Sequence, residues 1–229
     1  MSQDALLFDF GGTLDADGEP WAVRFHREYA AGGGRLPLKE FEPVFRRSDR
    51  QLEMEPTILA MGFRAMIEAQ AELLRRLLPD GRTVDLARVA ERFHAESLGT
   101  VRRNRPVLES LTRRYRLGIV SNFTGNLARC LAELDLLGFF ALVSDSALVG
   151  WAKPDPRIFQ SSLEALGERP EHAWMIGDNA ESDIRPAAAL GLRTCWLAPP
   201  ERETPDEITP TARIARLTEL PTVLAPCTD

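Results

Sequence analysis

Short apolar runs, separated by turn residues or by helical patterns, recur along the whole chain. They are continuous rather than alternating, which is typical of strands covered on both faces in a parallel sheet. They predict strands at 5–10, 116–122, 139–146, 172–179 and 192–198, and a weaker run predicts one at 211–217. Between the later runs, apolar residues at helical spacing predict helices over 125–134, 155–166 and 181–190. Strands alternating with helices indicate right-handed βαβ units, so we predict an α/β fold with a doubly wound, Rossmann-like parallel sheet.

The interval between the first two strands breaks this rhythm. It contains no convincing strand, and its amphipathic patterns predict helices at 21–31, 38–52, 57–78 and 84–98. We therefore predict an inserted α-helical cap domain at 19–105. Residues 1–18 and 106–229 would together form the Rossmann-like core.

Composition narrows the class of protein. The chain has 229 residues, of which 44% are hydrophobic and 27% charged, as is ordinary for a globular protein. Its net charge of −6 argues against a nucleic-acid partner, which would require a basic face. No apolar run approaches the length of a membrane span and no secretion signal is visible at the start, so we predict no membrane partner. Three scattered cysteines favour a reducing, cytoplasmic location over disulfides or a zinc site.

Polar residues follow several of the predicted strands. Sites in open parallel sheets form at the carboxyl ends of the strands. The first run leads into Asp9, the second into Ser121 and the fourth into Asp178, with Asp183 five residues later; Lys153 follows the third run. Each residue alone is explained as a helix cap, a turn or a loop residue. Together, a carboxylate pair, a hydroxyl and a cation at one edge are the groups that bind a divalent cation with a phosphate.

In their order along the chain, these residues resemble the four motifs of the haloacid dehalogenase superfamily of phosphohydrolases. DFGGT matches the first motif and carries Asp9 and Thr13, while IVSN, AKPDPRIF and GDNAESD match the other three. The resemblance covers the whole chain. The helical insert after the first motif resembles the α-helical cap of small-molecule phosphatases and of their dehalogenase relatives.

The resemblance implies covalent catalysis on phosphorus. Asp9 would attack the phosphoryl group and form an aspartyl-phosphate, which divides one difficult step into two easier ones. Ser121 would donate a hydrogen bond to a phosphoryl oxygen, and Lys153 would offset charge on Asp9 and on the transferring group. Backbone N–H groups would complete the phosphate cradle at Phe10, Gly11 and Asn122.

The resemblance also implies a magnesium cofactor. Mg²⁺ would bind the carboxylates of Asp9 and Asp178 and the backbone carbonyl of Gly11. Asp183 would complete the shell of the metal or orient Lys153.

One position departs from the family pattern. In the family's phosphatases an Asp two residues after the nucleophile is the general acid and base, and here that position is Gly11. A metal ligand needs only the carbonyl, but the proton-transfer function, typically worth ~10²–10⁴-fold, is lost. Asp15 and Asp17 lie nearby in the sequence, although a polar turn leading into the cap explains them more simply.

Three functions follow from this departure. The first is a phosphatase that manages without the side chain, through a water, a group of the substrate or a leaving group of low pKa; acyl phosphates and sugar-1-phosphates have such leaving groups and need less protonation. The second is a weakened or inactive member that binds a phosphorylated ligand or a protein. The third is carbon–halogen hydrolysis, which is disfavoured because the family's dehalogenases work without metal and usually have Ser where this chain has the Gly-Asp of its fourth motif. A phospho-accepting receiver domain is disfavoured by the large insert after the first strand and by the order of the residues.

The intact set of nucleophile, hydroxyl, lysine and metal carboxylates favours turnover, so we predict a phosphatase-like hydrolase of a small phosphorylated substrate. The cap would choose that substrate. Four of its residues are candidates for facing the pocket, namely Trp21, Arg24, Arg64 and Arg102, and the pattern does not select among them. The sequence leaves the oligomeric state open.

Overall fold

The computed structural model describes residues 4–225, which fold around one parallel sheet. Its six strands lie in the order β3-β2-β1-β4-β5-β6, and every neighbouring pair is parallel. The strands are β1 (Ala5–Phe8), β2 (Arg116–Ser121), β3 (Leu142–Asp145), β4 (Ala173–Gly177), β5 (Arg193–Leu197) and β6 (Ala212–Ile214). The predicted α/β fold with a parallel sheet is confirmed.

The α-helices of residues 4–225 fall into an inserted group and a group that follows the strands. The inserted group is α1 (Trp21–Ala31), α2 (Leu38–Glu53), α3 (Phe63–Leu77) and α4 (Leu86–Leu111). The others are α5 (Leu127–Glu133), α6 (Ser146–Val149), α7 (Pro156–Leu166), α8 (Arg185–Ala189) and α9 (Leu220–Val223). None of the helices in this part of the chain is long and apolar enough to cross a membrane.

The sheet is covered on both faces, as its continuous apolar strands require. Leu6 and Phe8 of β1 pack into one buried cluster with residues of α4, α5 and α9. Ala5 and Leu7, which point to the opposite face, pack into a second cluster with residues of α7 and α8. This alternation along β1 places its carboxyl end, and therefore Asp9, at the edge of the sheet between two helical layers.

The position of β1 creates the site. Phe8 pairs with Ile119 of β2 on one side and with Ile176 of β4 on the other, so the three strands end at nearly the same level. The chain passes from β1 to β2 and β3 on one side of the sheet and then returns to β4 on the other. Such a switch point opens a crevice at the carboxyl ends of the strands, where ligands bind in open α/β sheets.

The helical insert predicted between the first two strands is present as α1 to α4, which pack against one another. The predicted division between cap and core at 105/106 lies inside α4, which runs through Pro106 to Leu111. Buried residues on both sides of the proline, Val101 and Leu108, keep this long helix packed. The domain division 1–18, 19–105 and 106–229 therefore stays a prediction.

Local differences from the sequence prediction have backbone causes. The helix predicted over 57–78 is interrupted because Met61 and Gly62 are extended; a 3₁₀ turn at Ile58–Ala60 precedes the break and α3 follows it. The helix predicted over 181–190 begins as a π turn at Ala180–Ile184. π turns of this kind occur frequently at functional sites.

Candidate active site

Asp9 lies at the centre of a hydrogen-bonded group of side chains. Its Oδ1 accepts a hydrogen bond from Ser121 Oγ at 2.7 Å and another from Lys153 Nζ at 2.7 Å. All three side chains are buried. The structure therefore brings together the three residues that the sequence proposed as catalytic, which come from β1, β2 and the loop after α6.

The same lysine connects Asp9 to the acidic residues that follow β4. Lys153 Nζ donates to Asp183 Oδ1 at 2.6 Å. Carboxylate oxygens of Asp9, Asp178 and Asp183 lie within 4.8 Å of one another. Three buried carboxylates against one lysine leave an excess of negative charge. Their oxygens are the type of ligand that binds a hard divalent cation such as Mg²⁺. These residues fit the predicted metal.

The electrostatics of the cluster reflect this excess of charge. Burial raises the pKa of Asp178 well above its ordinary value, and the charges of Asp9 and Asp183 raise it further. Burial also raises the pKa of Asp183 to about 6, although Lys153 opposes the shift. For Lys153 burial alone would lower the pKa, but Asp183 and Asp9 together raise it, so the ammonium stays charged.

Two glycines allow the carboxylates to approach the loops. A Cβ at Gly12 would lie 2.7 Å from Asp178 Oδ2, and Gly12 also has a φ of +90°, a conformation that disfavours side chains. A Cβ at Gly177 would lie 2.3 Å from Asp183 Oδ2. Any side chain at either glycine would therefore displace one of the acidic residues.

Asn122 has a role that the sequence did not indicate. Its Nδ2 donates to the backbone carbonyl of Lys153 at 2.9 Å, and its Oδ1 accepts from the backbone N–H of Lys153 at 2.7 Å. This reciprocal pair fixes the loop that carries the lysine. Thr13 similarly orients the carboxylate of Asp178, because its Oγ1 donates to Asp178 Oδ1 at 3.2 Å.

Phe10 and Gly11 lie in the loop that carries the first motif, residues 9–13, and their surroundings differ. The Phe10 ring is buried and packs edge-on against the rings of Phe63 and Phe123, so a phosphate contact at this residue falls to the backbone. Gly11 borders the cavity at the site. The phosphate contacts proposed for the N–H groups of Phe10, Gly11 and Asn122, and the metal contact proposed for the Gly11 carbonyl, remain predictions.

The carboxylates nearest in sequence to Gly11 are committed elsewhere. Asp15 is fully buried and accepts hydrogen bonds from the backbone N–H of Gly12 and from the side chains of Trp21, Arg24 and Ser97. Its contacts tie the first-motif loop to α1 and α4. Asp15 therefore serves as a structural anchor.

Asp17 is likewise held by the structure. Its carboxylate accepts hydrogen bonds from the side chains of Arg103 and Asn104 of α4 and from the backbone N–H of Leu217. The polar-turn interpretation of Asp15 and Asp17 thus agrees with their contacts, and neither borders the cavity at the site.

A cavity of about 370 Å³ lies between this cluster and the cap. Trp21, one of the four cap candidates, lines it. Arg24 does not, because its guanidinium is buried against Asp15. Arg64 pairs with Glu68 on the surface, and Arg102 is exposed.

The sequence missed two polar residues on the cap side of the cavity. Asp49 of α2 and Gln70 of α3 both line it, and Gln70 Nε2 donates to Asp49 Oδ1 at 2.6 Å. They stand on different amphipathic helices, where an isolated polar residue has the pattern of a solvated position. No signal in the sequence distinguishes them.

The fold is an α/β sheet with a helical insert, and comparison with known proteins identifies its family. A family model described as haloacid dehalogenase-like hydrolase matches residues 3–191. The chain therefore belongs to the haloacid dehalogenase-like hydrolases. The predicted family is confirmed.

Two similar proteins have different descriptions. The chain is 37% identical over 113 residues to a phosphoserine phosphatase from Thermus thermophilus, covering 49% of this chain and 45% of that protein. It is 30% identical over 199 residues to the human haloacid dehalogenase-like hydrolase domain-containing protein 3, covering 75% of this chain and 79% of that protein. The chain spans about half the length of the phosphoserine phosphatase and of a pyrimidine 5'-nucleotidase, YjjG, from Escherichia coli, to which it is also similar.

Two solved structures share the fold. The HAD-hydrolase YfnB from Bacillus subtilis, solved with magnesium, has a TM-score of 0.61 and 24% identity, covering 99% of this chain and 100% of that chain. A dehalogenase solved as an intermediate complex has a TM-score of 0.68 and 20% identity, covering 98% of each chain. At these identities the likeness concerns the fold, so the reaction has to be argued from the residues of the site.

Proposed function

We propose that this chain is a Mg²⁺-dependent hydrolase of small phosphorylated compounds and that Asp9 is its nucleophile. One observation carries the proposal: the Asp9 carboxylate is held by Ser121 and Lys153 within 4.8 Å of the carboxylates of Asp178 and Asp183. A nucleophile, a cation and a metal-binding donor set are thus gathered at one sheet edge.

The reaction would proceed in two steps. A carboxylate oxygen of Asp9 forms a bond to phosphorus while the bond from phosphorus to the leaving oxygen breaks. Water then attacks the aspartyl-phosphate, which releases inorganic phosphate and restores the Asp9 carboxylate. Ser121 Oγ and the Lys153 ammonium, both buried beside Asp9, would donate hydrogen bonds to the phosphoryl oxygens as negative charge develops there.

Magnesium would supply positive charge to the phosphoryl group when bound by the carboxylates of Asp9 and Asp178 and the carbonyl of Gly11. Asp183 would orient Lys153, since its Oδ1 accepts from Nζ at 2.6 Å. Thr13 and Asn122 would act indirectly by holding Asp178 and the Lys153 loop in place.

Gly11 restricts the leaving group. Asp15 and Asp17 are engaged by other residues, so neither is free to protonate a departing alkoxide. Leaving groups of low pKa, as in acyl phosphates or sugar-1-phosphates, depart with little protonation and are the substrates that this site favours. Carbon–halogen hydrolysis is the weaker alternative, because the acidic cluster has the composition of a metal site.

The test is Mg²⁺-dependent release of phosphate from acetyl phosphate by the natural chain and by Asp9→Asn. We expect release that stops when the metal is chelated and that is lost in Asp9→Asn. If the folded natural chain with Mg²⁺ releases no phosphate from acyl, aryl or alkyl phosphates, the enzymatic proposal is wrong. The second candidate, a member that binds a phosphorylated ligand without turnover, would then be favoured by the loss of the proton-transfer group at Gly11.

A further inference from the structure

Among the described residues, 4–225, those that the cap presents to the cavity are acidic or neutral, and none is basic. Of the cap residues that line it, the charged ones are Asp49 and Glu53, both anionic. Among residues 4–225 the cation bordering this cavity is Lys153, which already pairs with Asp9 and Asp183. An anionic group on the leaving portion of a substrate would therefore meet negative charge and find no cation on the cap.

Asp49 is held by a small polar network. Gln70 Nε2 donates to Asp49 Oδ1 at 2.6 Å and to Ser48 Oγ at 2.8 Å, and Ser48 Oγ donates in turn to the carbonyl of Phe45. Both amide hydrogens of Gln70 are thereby committed. The network fixes the Asp49 carboxylate in one place.

The network leaves an acceptor without a partner. Gln70 Oε1 is buried and accepts no hydrogen bond from any residue in 4–225. A buried acceptor without a donor costs ~1–3 kcal/mol, so such a group is normally satisfied by water or by a ligand. Gln70 Oε1 is enclosed by the protein, whereas Asp49 is only partly buried and lines the cavity, so the Asp49 carboxylate is the acceptor that a ligand can reach.

Apart from Asp49, Glu53 and Gln70, the cap residues that line the cavity are apolar. They are Pro20, Trp21, Phe45, Leu52 and Met66. A planar or aliphatic body would pack against these side chains. Because the phosphate would lie at the opposite, Asp9 side of the cavity, the apolar body would bridge the phosphate and the Asp49–Gln70 pair.

Building on the proposed phosphatase function, we propose that Asp49 and Gln70 form a subsite for a cationic hydrogen-bond donor on the leaving group. The substrate class is then a small phosphate ester or acyl phosphate with an apolar body and a terminal amine, and without a second anionic group. Asp49 supplies the charge and accepts the hydrogen bond from the ammonium, and Gln70 acts indirectly by holding the Asp49 carboxylate through its Nε2.

The protonation of Asp49 is consistent with such a role. Burial raises its pKa to about 7, with Glu53 raising it and Arg50 and Arg46 of the same helix lowering it, while Gln70 of α3 stabilises the carboxylate by its hydrogen bond. A carboxyl poised near neutrality ionises readily when a cation binds beside it.

The test compares three aryl phosphates: 4-(aminomethyl)phenyl phosphate, 4-carboxyphenyl phosphate and phenyl phosphate. A phenol leaves more readily than an alkyl alcohol, so the probes suit a site without the acid at position 11. The readout is the ratio of kcat/KM for the cationic probe to that for the anionic probe, measured in the natural chain, Asp49→Asn, Asp49→Lys and Gln70→Leu. Intrinsic differences among the phenols cancel when ratios are compared between variants.

We expect Asp49→Asn to lower this ratio about tenfold, the size of one charge interaction of about 1.4 kcal/mol, and Asp49→Lys to invert the preference. Gln70→Leu removes the hydrogen bond that holds the Asp49 carboxylate, so it should lower the ratio through KM for the cationic probe. Glu40→Gln removes an exposed charge from the same helix outside the cavity and should leave the ratio unchanged.

Three results would overturn the proposal. The first is a ratio that is equal in the natural chain and in Asp49→Lys. The second is a kcat/KM that is highest for phenyl phosphate among the three probes. Either result would leave the phosphatase function intact. The third is the absence of Mg²⁺-dependent phosphate release from acetyl phosphate, which would remove the phosphatase function and this subsite together.

Discussion

The indole of Trp21 occupies the space beside Gly11. A Cβ at residue 11 would lie 3.3 Å from both Cε2 and Nε1 of Trp21, closer than most carbon contacts in proteins. The ring is held there because its Nε1 donates to Asp15 Oδ2 at 3.0 Å, while Asp15 Oδ1 accepts from the backbone N–H of Gly12. Gly11 does not have a positive φ, so its backbone conformation allows a side chain. The neighbouring indole ring is what leaves little space for one.

The first prediction follows from this contact. Gly11→Asp alone should be less stable by about 1–3 kcal/mol, because the new side chain overpacks against Trp21. It should gain little activity on alkyl phosphates. Adding Trp21→Leu to Gly11→Asp should open the space and raise kcat on alkyl phosphates by up to ~10²–10⁴-fold over Trp21→Leu alone, as a positioned acid would.

Phosphate release and thermal unfolding measure the two effects, and Gly11→Ala is the matched control. It adds the Cβ without a carboxylate and should show a loss of stability with no gain in rate. A similar gain in Gly11→Ala would refute proton transfer as the missing function.

The second prediction concerns the buried lysine. Lys153→Met leaves the carboxylates of Asp9 and Asp183 without their shared cation, and breaking a buried ion pair in this way costs about 3–5 kcal/mol. Denaturant unfolding measures the change. Arg64→Met, which breaks an exposed pair with Glu68, is the control and should unfold like the natural chain. Equal stability of the two variants would show that Lys153 does not balance the buried carboxylates.

The third prediction concerns metal and the acidic cluster. Without Mg²⁺, Asp178→Asn should be at least as stable as the natural chain, because it removes one of three crowded carboxylates whose mutual repulsion contributes to the raised pKa of Asp178. Adding Mg²⁺ should raise the Tm of the natural chain and leave that of Asp178→Asn nearly unchanged.

Asp206→Asn, which alters an exposed carboxylate remote in sequence from the cluster, should respond to Mg²⁺ like the natural chain. An equal shift of Tm in Asp178→Asn and the natural chain would place the metal elsewhere.

The fourth prediction is a dependence of stability on pH. The pKa of Asp49 is about 7 in the folded chain against an ordinary 3.8, so the folded state binds this proton more tightly than the unfolded state does. The stability that this group contributes is therefore present at acidic pH and lost as pH rises from about 4 to about 7. Asn keeps an acceptor for Gln70 and cannot ionise.

The Tm of Asp49→Asn, taken relative to the natural chain, should accordingly rise between about pH 5 and about pH 8. Asp206→Asn controls for the loss of an exposed carboxylate. A difference in Tm between Asp49→Asn and the natural chain that does not change with pH would contradict the raised pKa.

Much of the fold could be predicted from the sequence because its elements have strong local signals. Strands such as β1 and β4 are continuous apolar runs, and each is followed by an acidic residue of the site, Asp9 or Asp178. Helix ends were less predictable. The predicted helix breaks at Gly62, where the backbone is extended, and α4 continues to Leu111 because residues such as Leu108 are buried, a tertiary effect that outweighs local pattern.

The residues gathered at the sheet edge could be predicted from the sequence, whereas on the cap side one of the four candidates, Trp21, lines the cavity and the Asp49–Gln70 pair was missed. Motif residues such as Ser121 and Lys153 lie at strand ends or in short loops whose position is set by the topology. Gln70 and Asp49 lie on two different helices and are 21 positions apart in the sequence. The contact of Trp21 with Gly11 depends on how α1 packs over the loop after β1. Such contacts become apparent only once the helices are assembled.

Phosphorylation of Asp9 during turnover tests the central claim most directly. With Gly11 in place of the usual general base, hydrolysis of the aspartyl-phosphate should be slow, so the intermediate should accumulate. Acid quenching of the natural chain with Mg²⁺ and acetyl phosphate, followed by mass spectrometry of the peptide that contains Asp9, should show the added mass of one phosphoryl group at that residue, absent in Asp9→Asn. Mg²⁺-dependent turnover that persists in Asp9→Asn, or a phosphoryl group found on another residue, would contradict the assignment of Asp9 as the nucleophile.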